Sequence, residues 1–186
     1  MASIVRWADW EGEGLEHCAC HFDDDGLTLE GVVAVAQEGL HGVHYRVRTD
    51  AAFRTREVRV HFVGGPTLHV EADGEGHWLN LRDGAALPAL DGCLDVDIRV
   101  TPATNTLPIR RLRLGHGESC DIEVAYVPLP GQAAGDFLPR RVEQRYTRLM
   151  TDGGYRYEGL GTGFLADLTV DADGLVVDYP GVFRRV

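Results

Sequence analysis

Apolar and polar residues alternate along much of the chain, the period-2 pattern of strands that bury one face. From Glu57 to Val63, Val58, Val60 and Phe62 fall on one side, and Glu57, Arg59 and His61 on the other. From Gly92 to Thr101, Leu94, Val96, Ile98 and Val100 form an apolar face opposite Cys93, Asp95, Asp97 and Arg99. The same signal predicts strands over 31–37, 42–49, 67–71, 120–127, 156–158 and 164–170. The last of these runs through Asp171-Ala172-Asp173-Gly174 into 175–179, a hairpin whose glycine accepts positive φ at little cost. Gly, Pro and Asp clusters between short strands point to an antiparallel meander. With 23 glycines in 186 residues, long helices have little room.

One helix is expected, over TNTLPIRRL at 104–112. Thr104, Asn105 and Thr106 all suit an N-cap, Pro108 is tolerated in a first turn, and Arg110 and Arg111 suit the C-terminal end of the dipole. Residues 140–150 carry two competing patterns. Val142, Tyr146 and Leu149 recur at helical spacing, yet Val142, Gln144 and Tyr146 also alternate with Glu143 and Arg145 as a strand would.

A chain of 186 residues and 20.4 kDa is read as one domain, 1–186, long enough to bury a substantial core. Its 44% hydrophobic and 25% charged content is that of an ordinary globular protein. The formal net charge of -11 argues against nucleic acid as a partner and against docking on an anionic membrane. A neutral sugar or a cationic group stays compatible with that charge, which solubility alone also explains. No signal-peptide-like run opens the sequence, and no apolar stretch approaches the roughly 20 residues of a membrane span, so cytoplasmic residence is expected. Four cysteines, two of them one residue apart, are read as reduced thiols rather than a disulfide framework.

His17, Cys18, Cys20 and His21 are the nearest approach to a metal cluster, but on a strand the cysteines face one way and the histidines the other. A strand ending in the turn Asp24-Asp25-Gly26 accounts for them without metal. The other histidines are expected on solvent faces or in turns. The sequence has no glycine-rich phosphate loop, nucleophile elbow or HExxH helix, so no catalytic residue, metal or cofactor is assigned.

Asp95 and Asp97 share a strand face at about 7 Å spacing, too close to be left uncompensated if buried. Arg110 and Arg111 on the expected helix are the natural partners. An internal ion-pair network tying helix to sheet is the preferred reading, ahead of a pocket in which a free carboxylate accepts hydrogen bonds from sugar hydroxyls. Paired carboxylates about 5 to 9.5 Å apart also admit a glycosidase. Trp78, Tyr146, Tyr155, Tyr157 and Tyr179 offer flat apolar faces with polar handles, suited to stacking on a sugar or covering an acyl chain. Asp178, opposite Tyr179, is a further acid.

Five segments together carry a family resemblance: DGCLDVDIRVTPATNTLPIRRLRL at 91–114, VAYVPLP at 124–130, QRYTRL at 144–149, YRYE at 155–158 and DLTVDADGLVVDYPGVFRRV at 167–186. They resemble the putative glycolipid-binding family of bacterial proteins, formerly a domain of unknown function. The resemblance is dense from Asp91 onward and looser before it, where Asp50, Phe53, Thr55 and Trp78 fall at family-like places. It implies a mostly β fold, with a many-stranded antiparallel sheet curled as a β-roll or half-barrel around a single short helix. It also implies a homodimer, remotely similar to bacterial lipoprotein carriers. The function implied is non-catalytic binding of a glycolipid, lipid or sugar-like ligand in an acidic pocket, with no cofactor. The expected ligand-binding set is Asp95, Asp97, Asn105, Arg110, Arg111, Trp78, Tyr146, Tyr157 and Asp178. An enzyme acting on a glycoconjugate, or a purely structural or interaction protein, are the alternatives.

Overall fold

The computed structural model describes residues 2–35, 39–133 and 136–186. Its N-terminal half contains β1 (Ala2–Asp9), β2 (Leu15–Asp23), β3 (Gly26–Val35), β4 (His41–Thr49), β5 (Thr55–Phe62), β6 (Thr67–Ala72), β7 (Trp78–Asn80) and β8 (Ala85–Ala86). After β9 (Asp95–Ile98) and the helix α1 (Thr106–Leu112) come β10 (Ser119–Val127), β11 (Arg140–Arg148), β12 (Gly154–Gly159), β13 (Phe164–Val170), β14 (Val176–Tyr179) and β15 (Phe183–Arg185). These strands form one 15-stranded sheet in the order β8-β7-β6-β5-β4-β3-β2-β1-β15-β14-β13-β12-β11-β10-β9. The first and last strands are therefore neighbours at its middle, with Trp7 opposite Arg185.

The pairing is antiparallel with one correction to expectation: β9 and β10 run parallel, Asp95 standing opposite Val124 and Asp97 opposite Tyr126. A parallel pair needs a crossover rather than a hairpin, and α1 lies in that connection. The sheet curls until its two ends touch without closing a ladder. Gly92 N–H donates to the Gly76 carbonyl at 3.0 Å, Thr55 N–H to Leu94 at 2.8 Å, and the Trp78 indole to Cys93 at 2.9 Å.

Two buried apolar clusters result. One gathers β1 to β7 with Val96, Ile98 and Leu107, and the other gathers β10 to β14 with Ile109. The helix thus sits between them, its Leu107 facing one and its Ile109 the other. Close packing of the first cluster depends on Gly31. A Cβ there would stand 2.3 Å from Tyr45 Cε1, so only glycine lets the fully buried Tyr45 ring lie across β3 and reach β2.

Several local expectations are revised. The segment 104–112 opens as a 3-10 turn over Ala103–Asn105 before α1 proper, and Asn105 makes no side-chain cap, its amide being committed elsewhere. Residues 140–148 are strand, not helix. The strand expected over 92–101 shrinks to β9, because Thr101 N–H turns back to the Ile98 carbonyl at 3.1 Å. The strand expected over 31–37 ends at Val35 in β3, and Gln37 lies outside the described residues. Cys18 and Cys20 face the core with Sγ atoms 3.7 Å apart, while His17 and His21 face solvent. Among the described residues, no helix is long and apolar enough to cross a membrane.

Candidate functional site

Successive helical residues diverge by about 100°, and this divides the two arginines that sequence reasoning placed together. Arg111 turns to β9 and grips Asp95 with one edge of its guanidinium: Nε lies 3.1 Å from each carboxylate oxygen and Nη2 2.6 Å from Oδ2. Asp95 is fully buried, and burial pushes its pKa up against the pull of Arg111. Arg110 points away from both acids. It stacks over Phe53, its guanidinium carbon 5.0 Å from the ring centroid, with Phe22 at 5.9 Å.

Asp97 has a different partner. Its Oδ2 accepts a 2.6 Å hydrogen bond from the Gln144 side-chain amide, and among the described residues no arginine clamps it as Arg111 clamps Asp95. Burial pushes its pKa up to about 6, opposed by the Gln144 hydrogen bond and by the charge of Arg99. Asp97 as a whole residue is half-buried, unlike the fully buried Asp95. Its charge is felt by Tyr146, Tyr157 and Tyr179, whose hydroxyls burial and Asp97 together hold above their ordinary pKa.

Those tyrosines, carried by β11, β12 and β14, form a contiguous aromatic cluster with Phe164 of β13. Tyr146 is directly opposite Tyr157, and the two rings meet edge to face at 5.5 Å. Tyr157 lies 6.0 Å from Phe164 and 6.1 Å from Tyr179. Tyr146 is the buried end of the row, its hydroxyl accepting a 2.8 Å hydrogen bond from the Asn105 amide that anchors the helix start. Phe164, 42% exposed, is the solvent edge, and Tyr157 is half-buried between them.

Of the residues singled out in the sequence, the structure brings together Asp95 with Arg111 and Asn105 with Tyr146, and places Asp97 near Tyr146 and Tyr157; of these, only Asp95 with Arg111 was an expected pairing. Trp78 and Asp178 lie apart from that group. Trp78 is 1% exposed in the N-terminal cluster, where its indole holds the sheet's two ends together. Asp178 stands between Thr169 and Arg184 in the ladder, and among the described residues it takes no part in the contacts around Asp97. Gln144 was missed as a partner. Its signal was the alternation Val142-Gln144-Tyr146, which puts a polar side chain on a buried face.

Two clefts flank the helix. One, of about 490 Å³, is lined by Arg111, Leu112, Ile122, Glu123, Glu143 and Leu160. The other, of about 680 Å³, is lined by Arg110, Arg113, Arg148, Tyr155 and the turn 171–174. Asp97 lines neither. A third polar group was invisible in the sequence: Glu16, 2% exposed, accepts hydrogen bonds from Tyr45 at 2.5 Å and Thr101 at 2.8 Å, and burial pushes it up to about 8. The crevice beside it holds only about 20 Å³, room for a water, and so offers no ligand site.

Comparison with known proteins agrees with this architecture. The family model described as putative glycolipid-binding matches residues 4–185. A crystal structure of a DUF1089-family protein from Pseudomonas aeruginosa superposes with a TM-score of 0.79 at 42% identity, covering 94% of this chain and 92% of that one. No curated protein matches the sequence.

Proposed function

Because the chain belongs to the putative glycolipid-binding family, we propose that it binds a sugar-bearing lipid or related glycoconjugate, without catalysis, on the aromatic row beside Asp97. The observation that carries this is a half-buried acid held by an amide rather than by an arginine, next to a row of rings in edge-to-face and tilted contact that runs from a buried end to an exposed one. Sugar recognition calls for these parts: a ring face to stack on, and a carboxylate and an amide to exchange hydrogen bonds with hydroxyls. The exposed edge at Phe164 extends the apolar surface toward an acyl chain. Residues 1–186 act in this reading as one ligand-binding domain.

Hydrolysis is the second reading, favoured by Asp97 alone, since a carboxyl at about 6 can hold a proton near neutrality. Glycoside cleavage in its common form needs a second available carboxyl. Asp95 is buried and gripped bidentately by Arg111, so it cannot approach a substrate as base or nucleophile. Binding is therefore the better account. A glycan and glycolipid array tests it. Wild-type protein captures a defined subset, Tyr157→Ala loses most of that signal, and the two melt within a few degrees of one another. Equal capture by wild type and Tyr157→Ala would remove the aromatic row from the function.

A further inference from the structure

The chain has 18 basic residues, all arginine, against 29 acidic ones. On the strands, arginines typically stand opposite carboxylates, as Arg145 does with Asp121 and Arg156 with Asp167. Among the described residues, Arg110, in the helix, Arg113 just after it, and Arg148, at the end of β11, have no such partner. All three line the cleft of about 680 Å³, and among the described residues none is ion-paired. Of the two acids in the same lining, Asp171 is already neutralised by Arg185 at 2.7 Å, which leaves Asp152 alone against three guanidinium groups. The cleft is thus locally positive in a chain of net charge -11.

The cationic groups are also held in place. Arg148 lies over the Tyr155 ring at 4.6 Å, and Arg110 over Phe53 at 5.0 Å. Stacking fixes the guanidinium planes and leaves their N–H edges for an acceptor. Phe53 takes up this position at a cost, since its φ of +62° is one that a bulky side chain rarely adopts. A tight turn holds it there: Asp50 Oδ1 accepts from Ala52 N–H at 2.9 Å and from Arg54 N–H at 3.0 Å, and Phe53 N–H returns to the Asp50 carbonyl at 2.9 Å. On the far wall, a Cβ at Gly174 would stand 3.1 Å from Arg110 Cδ, so glycine there gives the arginine stem its path.

We infer that this cleft is a second binding site, for a phosphate-type oxyanion gripped by Arg110, Arg113 and Arg148. Several oxygens around one centre can engage three guanidinium edges at once, as a single carboxylate cannot. The volume leaves room for a small organic group or a lipid glycerol attached to the phosphate. The site is separate from the Asp97 row. Arg148 and Tyr155 are opposite each other two residues further along β11 and β12 than Tyr146 and Tyr157, and the inference does not depend on sugar binding there.

Calorimetric titration of the full chain with inorganic phosphate and with glucose 1-phosphate, beside sedimentation with phosphatidylcholine vesicles with and without phosphatidic acid, tests the inference. Saturable binding that weakens as sodium chloride is added is expected in at least one arm. Arg110→Gln and Arg148→Gln are each expected to weaken it about 10-fold, the scale of one charge-assisted hydrogen bond. Arg113→Gln, at an exposed position, gives a comparable loss with an unchanged melting curve and serves if a stacked arginine proves necessary for folding. Arg156→Gln, on another face, leaves binding intact. Binding to the soluble phosphates identifies a free phosphate ester as the source, and binding to the acidic vesicles alone identifies a lipid headgroup. No binding in any arm, or binding untouched by all three substitutions, overturns the inference.

Discussion

Replacing Asp97 by Asn is the most informative single perturbation, because the structure reverses the effect that an arginine-paired acid would show. The folded chain raises this carboxyl from an ordinary 3.8 to about 6, so it holds the proton more tightly than the unfolded chain does. Its contribution to stability is complete below about pH 3.8, declines as pH rises from there through about 6, and is then fully lost. About two pKa units at roughly 1.4 kcal/mol each set a ceiling near 3 kcal/mol, and water access to a half-buried group lowers the measurable effect to about 1–2 kcal/mol. Asparagine can accept the Gln144 hydrogen bond through Oδ1 without carrying charge into the site. Asp97→Asn should therefore come closest to wild type near pH 4, gain on it as pH rises through about 6, and hold a nearly constant advantage above about pH 7. Urea unfolding followed by tryptophan fluorescence between pH 4 and 8 measures this, since Trp7 and Trp78 are buried in the folded chain. Glu16, pushed up to about 8, titrates in both proteins and cancels in the difference. A variant several kcal/mol less stable than wild type at pH 7 would refute the reasoning and return Asp97 to the role of an arginine partner.

Asp95→Asn should behave in the opposite way. It strands the Arg111 guanidinium, whose side chain is only 16% exposed, and should cost about 3 kcal/mol at neutral pH, read as a lower urea midpoint with unchanged slope. Gly31→Ala should cost about 2–3 kcal/mol, because its methyl group would occupy space 2.3 Å from Tyr45 Cε1 and force the buried ring to move. Near-ultraviolet circular dichroism should register that displacement, and a melting temperature equal to wild type would show that β3 can shift to make room.

The alternation that marked Val58, Val60 and Phe62 as one face is borne out by β5, where all three are buried. That signal is local, and so it was legible. The helix was legible for the same reason, since TNTLPIRRL carries its own start and stop chemistry. What the pattern could not supply was rotation and distance. Nothing within 104–112 says which arginine faces β9, because that depends on Leu107 and Ile109 being captured by two different clusters. Trp78 was assigned to a ligand surface because an aromatic residue in a short strand looks the same in sequence whether it lines a cleft or closes a seam. The short β7, β8 and β15 lack enough alternating positions to register at all. Asp97 and Gln144 are 47 positions apart and meet only through the β9–β10–β11 ladder.

The Asp95–Arg111 pair links the two candidate sites more closely than their separation suggests. By fixing the roll of α1 against β9, it sets where every other helical side chain points. With Arg111 committed to Asp95, Arg110 is left about 100° away, over Phe53 and into the arginine-lined cleft. The same roll sends the amide of Asn105, just before the helix, to the Tyr146 hydroxyl and so holds the buried end of the aromatic row. An internal ion pair of this kind adds little net stability compared with a well-packed apolar pair, so its value lies in orientation rather than in free energy. The acid and arginine that sequence reasoning read as an internal ion-pair network, in preference to a pocket, do form such a pair. Through the helix they also support the surfaces on either side.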